Sequence, residues 1–207
     1  MKRRGRIRPA VLMAALALGA SACDQGLPEV TPEEGEIVAQ IAEPVAGELL
    51  RTLVGNLTAA LDEGGPAQAM ELCSTQAMPL TRMVEAGVEG PISLKRTSFR
   101  YRNPDNAPDE GDEVALLFFE GELLDHGQAP PSLVQRVSTD EVRYYRPLFV
   151  GELCLGCHGD PASFDPQLQR VLAERYPEDL ATGYEAGAFR GLVRVSMPAT
   201  MIEPPGL

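Results

Sequence analysis

Two cysteines with a histidine directly after the second, Cys154-Leu155-Gly156-Cys157-His158, are the residues of this 207-residue chain best placed to do chemistry. Thiols at i and i+3 match the two vinyl groups of one porphyrin, and the adjacent imidazole falls over the iron. C-x-x-C-H is therefore the spacing of covalent c-type haem attachment, with His158 as proximal ligand. Two rivals share the C-x-x-C. A structural zinc site needs two further Cys or His ligands at close spacing, and only Cys23, Cys73 and His126 remain, scattered along the chain. A thioredoxin-like pair opens a helix within a βαβ pattern. Here Arg146-Pro147-Leu148-Phe149-Val150 leads in and Gly159-Asp160-Pro161 leads out. The motif predicts one covalent haem c.

Export is legible at the N-terminus. Lys2, Arg3, Arg4, Arg6 and Arg8 precede an apolar, small-residue run from Ala10 to Ala20, followed by Ser21-Ala22-Cys23. This reads as a signal peptide over residues 1–22, too short for a permanent span. Cleavage before Cys23 resembles lipoprotein processing, with Ala20 where Leu is usual; Ala20-Ser21-Ala22 also suits ordinary signal peptidase. The expectation is a periplasmic protein, lipid-anchored to a bacterial membrane through Cys23. Export agrees with the motif, since bacteria join haem to C-x-x-C-H outside the cytoplasmic membrane. Of four cysteines, Cys23 then serves lipid and Cys154 and Cys157 serve haem, leaving Cys73 as an unpaired thiol in an oxidising compartment.

The chain carries 18 basic and 30 acidic side chains, a net charge of −12, and loss of the five leader cations takes it to −17. Such a surface repels nucleic acid and anionic lipid and favours a cationic partner, so membrane attachment is expected only through Cys23. The length suits one domain after the leader.

These residues must be positioned by the elements between them. Residues 23–44 read as a flexible tether, acidic and broken by Pro28 and Pro32, and residues 45–207 as the haem domain. An apolar repeat at three and four residues starts at Ile37 and runs to Leu61, with Pro44 as a kink. Gly64-Gly65-Pro66 ends it and starts a second helix through Cys73 to about Pro79. Leu94 to Tyr101 reads as a strand, and Asp109 to Asp125 as a helix with Val114, Leu117, Phe118 and Leu124 as its apolar face. Leu133–Ser138 and Glu141–Phe149 read as a hairpin, Pro166–Arg175 as a helix and Leu192–Met197 as a last strand. The class is α+β.

Arg96-Thr97-Ser98, Arg102 to Pro108, Tyr145-Arg146-Pro147-Leu148, Cys154 to Gly159, Tyr176 to Tyr184 and Arg190-Gly191 together resemble one family over roughly Ala46 to Pro198. It is the exported c-type haem domain of PAS-like fold, formerly catalogued as a domain of unknown function and found in bacterial and cyanobacterial sensors. Leu180 departs from its usual basic residue. The resemblance implies a PAS-like antiparallel sheet with N-terminal helices, and a second axial ligand from a cysteine in the N-terminal helical region. Cys73, within Ala69-Met70-Glu71-Leu72-Cys73, matches that place. Ala69 and Ala77, one turn either side of it, leave a shallow face for a flat macrocycle; the plainer reading is a buried core cysteine. Met70 and His126 are weaker candidates for the sixth position. Arg96, Arg102, Arg143 and Arg146 could pair with haem propionates, and Tyr145 and Tyr184 could pack on or hydrogen-bond near the porphyrin.

Three functions follow. The first is redox or small-gas sensing with His158/Cys73 ligation, and the second is electron transfer as a periplasmic cytochrome. In either case the partner is a redox or signalling protein. A peroxidase-like enzyme would need an open iron and a distal His–Arg pair, which the sequence does not display.

Overall fold

The structure is a computed structural model and describes residues 27–202. The expected leader and Cys23, the expected lipid site, lie outside the described residues. Helix α1 (Pro32–Ala86) starts at a capping box, in which Glu34 N donates to Thr31 Oγ1 at 3.2 Å and Thr31 N donates to Glu34 Oε2 at 2.8 Å. The start falls inside the expected tether. Acids and a proline that resemble a linker are here first-turn signals, and Val38 and Ala42 are fully buried, so the domain begins before residue 45.

Pro44 and Pro79 sit within helical backbone. Pro44 removes a bond to the carbonyl of Gln40, which is exposed and can turn to water. The break comes at Gly64 (φ −152°) and Gly65 (φ 70°), dividing α1 into two limbs where Gly-Gly-Pro foretold it. The second limb runs past Pro79 to Ala86.

There follow β1 (Ser93–Thr97), α2 (Glu110–His126), β2 (Leu133–Arg136), β3 (Glu141–Phe149), α3 (Leu155–His158), α4 (Pro166–Arg175) and β4 (Phe189–Pro198). The strands form one antiparallel sheet in the order β1-β4-β3-β2. Side chains alternate across it. Leu94, Val142, Tyr144, Val193, Val195 and Met197 pack with Val38, Ala42, Ala46 and Leu49 of α1. Tyr145 and Leu192 point the other way, onto Ala115, Leu116 and Phe119 of α2.

Helix α2 is where the sequence expected it but turned over. Its buried residues are Asp112, Ala115, Leu116 and Phe119, while the expected core face of Val114, Leu117, Phe118 and Leu124 is exposed. Asp112 explains the orientation. Its carboxylate is fully buried under the sheet and accepts from Lys95 Nζ at 3.1 Å, Tyr145 Oη at 3.2 Å, and Arg143 and Arg194 at 3.3 and 3.2 Å. A carboxylate with three cations stays buried at tolerable cost, and those cations lie on one sheet face.

Candidate functional site

The chemistry-bearing segment leaves β3 through a 3-10 turn (Glu152–Cys154) and enters the single turn of α3. This backbone stacks Cys154 and Cys157 one turn apart and puts His158 at the helix end. Gly159 then turns the chain, because a Cβ there would lie 2.7 Å from the Leu155 carbonyl oxygen. The segment 179–184 runs alongside, with Gly183 N donating to Gly159 O at 2.6 Å and Tyr184 N to His158 O at 2.9 Å.

His158 Nδ1 lies 2.6 Å from the carbonyl oxygen of Ala181. A carbonyl only accepts, so Nδ1 carries the proton and Nε2 keeps its lone pair free for a metal. Burial, reinforced by the positive charges of Arg102 and Arg190, lowers the imidazole pKa to about 3, so it is neutral through the physiological range. The ring meets Tyr184 edge-on at 6.2 Å, and the Arg100 guanidinium caps that tyrosine at 3.9 Å.

Arg102 ties the motif to the neighbouring segment. Its Nη2 donates to Cys157 O at 2.7 Å and to Ala181 O at 3.2 Å, and its Nε donates to Asp179 Oδ2 at 3.0 Å. Asp179 accepts in turn from Ala181 N at 2.8 Å. The carbonyl that fixes His158 is therefore itself fixed by Arg102.

A cavity of about 290 Å³ opens between α1 and this segment. Leu50, Leu53, Val54 and Leu57 of the first limb form an apolar wall, and Leu72, Cys73 and Ala77 of the second limb face it across the break. Cys154 and His158 line the same cavity, with Arg96, Arg102, Tyr176 and Arg190 as the polar side. Cys157 and Cys73 both pack against one buried cluster of Met70, Phe164, Leu168 and Leu172. All three described cysteines are free thiols. Burial pushes the Cys73 thiol up against the opposing pull of Arg96 and Arg102, and burial pushes Cys157 up to about 11.

Arg96 alternates onto the α1 face of β1, beside Cys73 and Tyr176. Among the described residues it has no ion-pair partner, and burial lowers its pKa. Among the described residues, too, no three His, Cys, Asp or Glu side chains converge as a metal cluster, and no helix is long and apolar enough to cross a membrane.

Other expected site residues lie elsewhere. Tyr145 is fully buried on the α2 face, bonded to Asp112, because its odd position in β3 sends it away from the cleft. Arg143 shares that face. Arg146 faces α1 but pairs with Glu43 at 2.8 Å and does not line the cavity. His126 is exposed and lies 3.3 Å from Glu122, and Met70 is core. No role for Arg190, Tyr176 or the leucine wall follows from the sequence. Arg190 and Tyr176 do stand in the motifs that carry the family resemblance, and the wall lies within the helical repeat.

A long broken helix laid across a four-stranded antiparallel sheet, with a C-x-x-C-H turn at the edge of the cleft between them, defines an α+β domain built around one apolar, arginine-lined site. This chain belongs to the Tll0287-like family, whose model matches residues 24–198 and so takes in the start of α1. Among solved structures it is similar to the crystal structure of the cyanobacterial heme-protein Tll0287, at 24% identity and a TM-score of 0.57, covering 82% of this chain and 97% of that one. A search of curated proteins finds no significant match.

Proposed function

We propose that this chain is an exported, PAS-like, single-haem c-type protein that serves as a redox or small-gas sensing module, held to a membrane by lipid on Cys23. The observation that carries the reading is that Cys154, His158 and Cys73, from segments far apart in sequence, line one cleft. The donor set fits a haem. Cys154 and Cys157 are free thiols at thioether spacing, His158 offers Nε2 in the ligating tautomer, and Arg96 is a half-buried cation suited to a propionate. Val54 and Phe149, two residues of the cavity lining, are half-exposed, so the cleft is open to solvent. A fully antiparallel sheet with the N-terminal helix on one face agrees with the PAS-like assignment.

A bound haem would supply one-electron chemistry and, with a coordination position free, gas binding. The protein's part is to hold the imidazole neutral and oriented through Ala181 and to present the Cys73 sulfur, whose pKa burial raises, beside Arg96 and Arg102, whose charge opposes that rise. A peroxidase-like role is not proposed: His126, the one described histidine besides His158, lies on α2 beside Glu122 and does not line the cleft. Electron transfer to a cationic protein is the second reading, favoured by the exposed Val54 and Phe149 at the cleft and by the acidic net charge of the chain.

Acid-acetone extraction of the denatured protein should leave one haem on the chain, and freely extracted colour would overturn covalent attachment. Cys73→Ala should keep the haem, lose a low-spin thiolate spectrum, raise the reduction potential and open the iron to carbon monoxide. A ferric spectrum and potential equal to wild type would remove Cys73 from the ligand set. Iron that stays six-coordinate in both redox states would favour electron transfer over sensing.

A further inference from the structure

Helix α2 has two apolar faces, and the described residues cover only one. Ala115, Leu116 and Phe119 pack on the sheet, whereas Val114, Leu117 and Leu124 are 56, 59 and 86% exposed and Phe118 is 38% exposed. Exposed apolar residues scattered singly need no explanation, but these are contiguous. Val114, Leu117, Gly121 and Leu124 follow the 3-4-3 spacing of a coiled-coil seam, with Phe118 beside it. At the middle of the seam a Cβ on Gly121 would meet nothing within 4 Å, so a partner's side chain or backbone can approach closely there.

The rim identifies the occupant. Glu113 and Glu120 flank the seam on one side and Asp125 on the other, all exposed, with Glu110 at the helix start. The lone positively chargeable residue of α2, His126, is next to Glu122. We propose that this seam docks an amphipathic helix of another protein whose flanking positions carry Lys or Arg. A second copy of α2 is a poor occupant, since a parallel pairing sets Glu120 against Asp125 and an antiparallel one sets glutamates against each other. The net charge of the chain acts in the same direction. The seam is also joined to the cleft. Phe118 meets Phe119 edge-on at 5.4 Å, Phe119 stacks on Phe189 at 6.1 Å, and Phe189 meets Phe149, a cleft-lining ring, at 6.0 Å.

The probe is a synthetic heptad peptide with Leu at the seam and Lys at the flanks, titrated onto the full haem-loaded protein beside a twin with Glu at the flanks. The Lys peptide should bind and the Glu twin should not. Leu117→Glu with Leu124→Glu, or Leu124→Glu alone, adds negative charge, so bulk attraction would strengthen binding of the Lys peptide while seam docking would be lost. We expect affinity to fall by about tenfold or more, with circular dichroism unchanged because both residues are exposed. Unchanged or stronger binding by the variants, no binding by wild type, or a wild-type dimer that these substitutions dissolve would overturn the proposal.

Discussion

Arg102 holds the backbone of the C-x-x-C-H turn, which the motif residues cannot fix for themselves. One guanidinium bonds the carbonyls of Cys157 and Ala181 and pairs with Asp179 at 2.9 Å, with both side chains largely buried. Arg102→Ala would leave a carboxylate and two carbonyls short of donors, at a cost of about 3 kcal/mol in urea unfolding. Arg102→Lys should recover only part of it, because one ammonium cannot span the fork. The specific readout is amide exchange. Gly183 and Tyr184, whose N–H groups bond the motif backbone, should exchange faster in Arg102→Ala, and unchanged protection would show that the clamp does not hold this segment.

Two glycines have opposite roles at the scale of elements. Gly191 lies in β4 opposite the β3 irregularity at Leu148/Phe149, with φ 143°, and a Cβ there would come within 2.3 Å of the Thr97 carbonyl oxygen and 2.8 Å of Ser98 Cβ. The backbones of β1 and β4 would have to part. Gly191→Ala should lower stability by about 3 kcal/mol in a thermal melt and disturb the cleft that Gly191 lines. Gly121 sits in regular helix with open space around it, so Gly121→Ala should raise stability by about 1 kcal/mol. A helix that forgoes this gain at the centre of its exposed seam is consistent with a partner needing the room. Loss of stability in Gly121→Ala would show that the glycine serves the fold.

For the whole molecule, the acid limb of stability should run through the α2–sheet network. Burial alone would raise the Asp109 carboxyl, but hydrogen bonds from Arg143 and the Asp112 N–H, with the charges of Arg143 and Arg194, bring it down from 3.8 to about 2. The unfolded chain therefore binds the proton first as pH falls. The stabilisation is fully present above pH 3.8 and is lost as pH drops towards 2. Glu34 and Glu141 are also lowered from 4.5 and extend the window upward. Asp109 is 45% exposed, so screening reduces its share to roughly 1 kcal/mol. Asp109→Asn should flatten the stability profile between pH 4 and 2. A profile parallel to wild type would mean that Asp109 does not carry this acid limb.

What the sequence determined by itself was carried by short spacing. C-x-x-C-H, the Gly-Gly-Pro break, the β2–β3 hairpin and the Pro166–Arg175 helix each depend on residues a few positions apart, and all stand where the sequence puts them. The family too was legible, through several short motifs spread along the chain. Tertiary structure decided which way things face. Tyr145 and Arg146 are neighbours in one motif, yet strand alternation sends them to opposite sides of the sheet, and neither reaches the cleft. The apolar repeat of α2 named a core face that lies in solvent, because Asp112 had to meet Lys95, Arg143 and Arg194, residues from three different strands. Arg102 looked like a cation for a propionate until Cys157 and Ala181, 55 and 79 residues away, closed on it. Periodicity reports that a helix or strand has faces. Which face is buried depends on partners brought together only by folding.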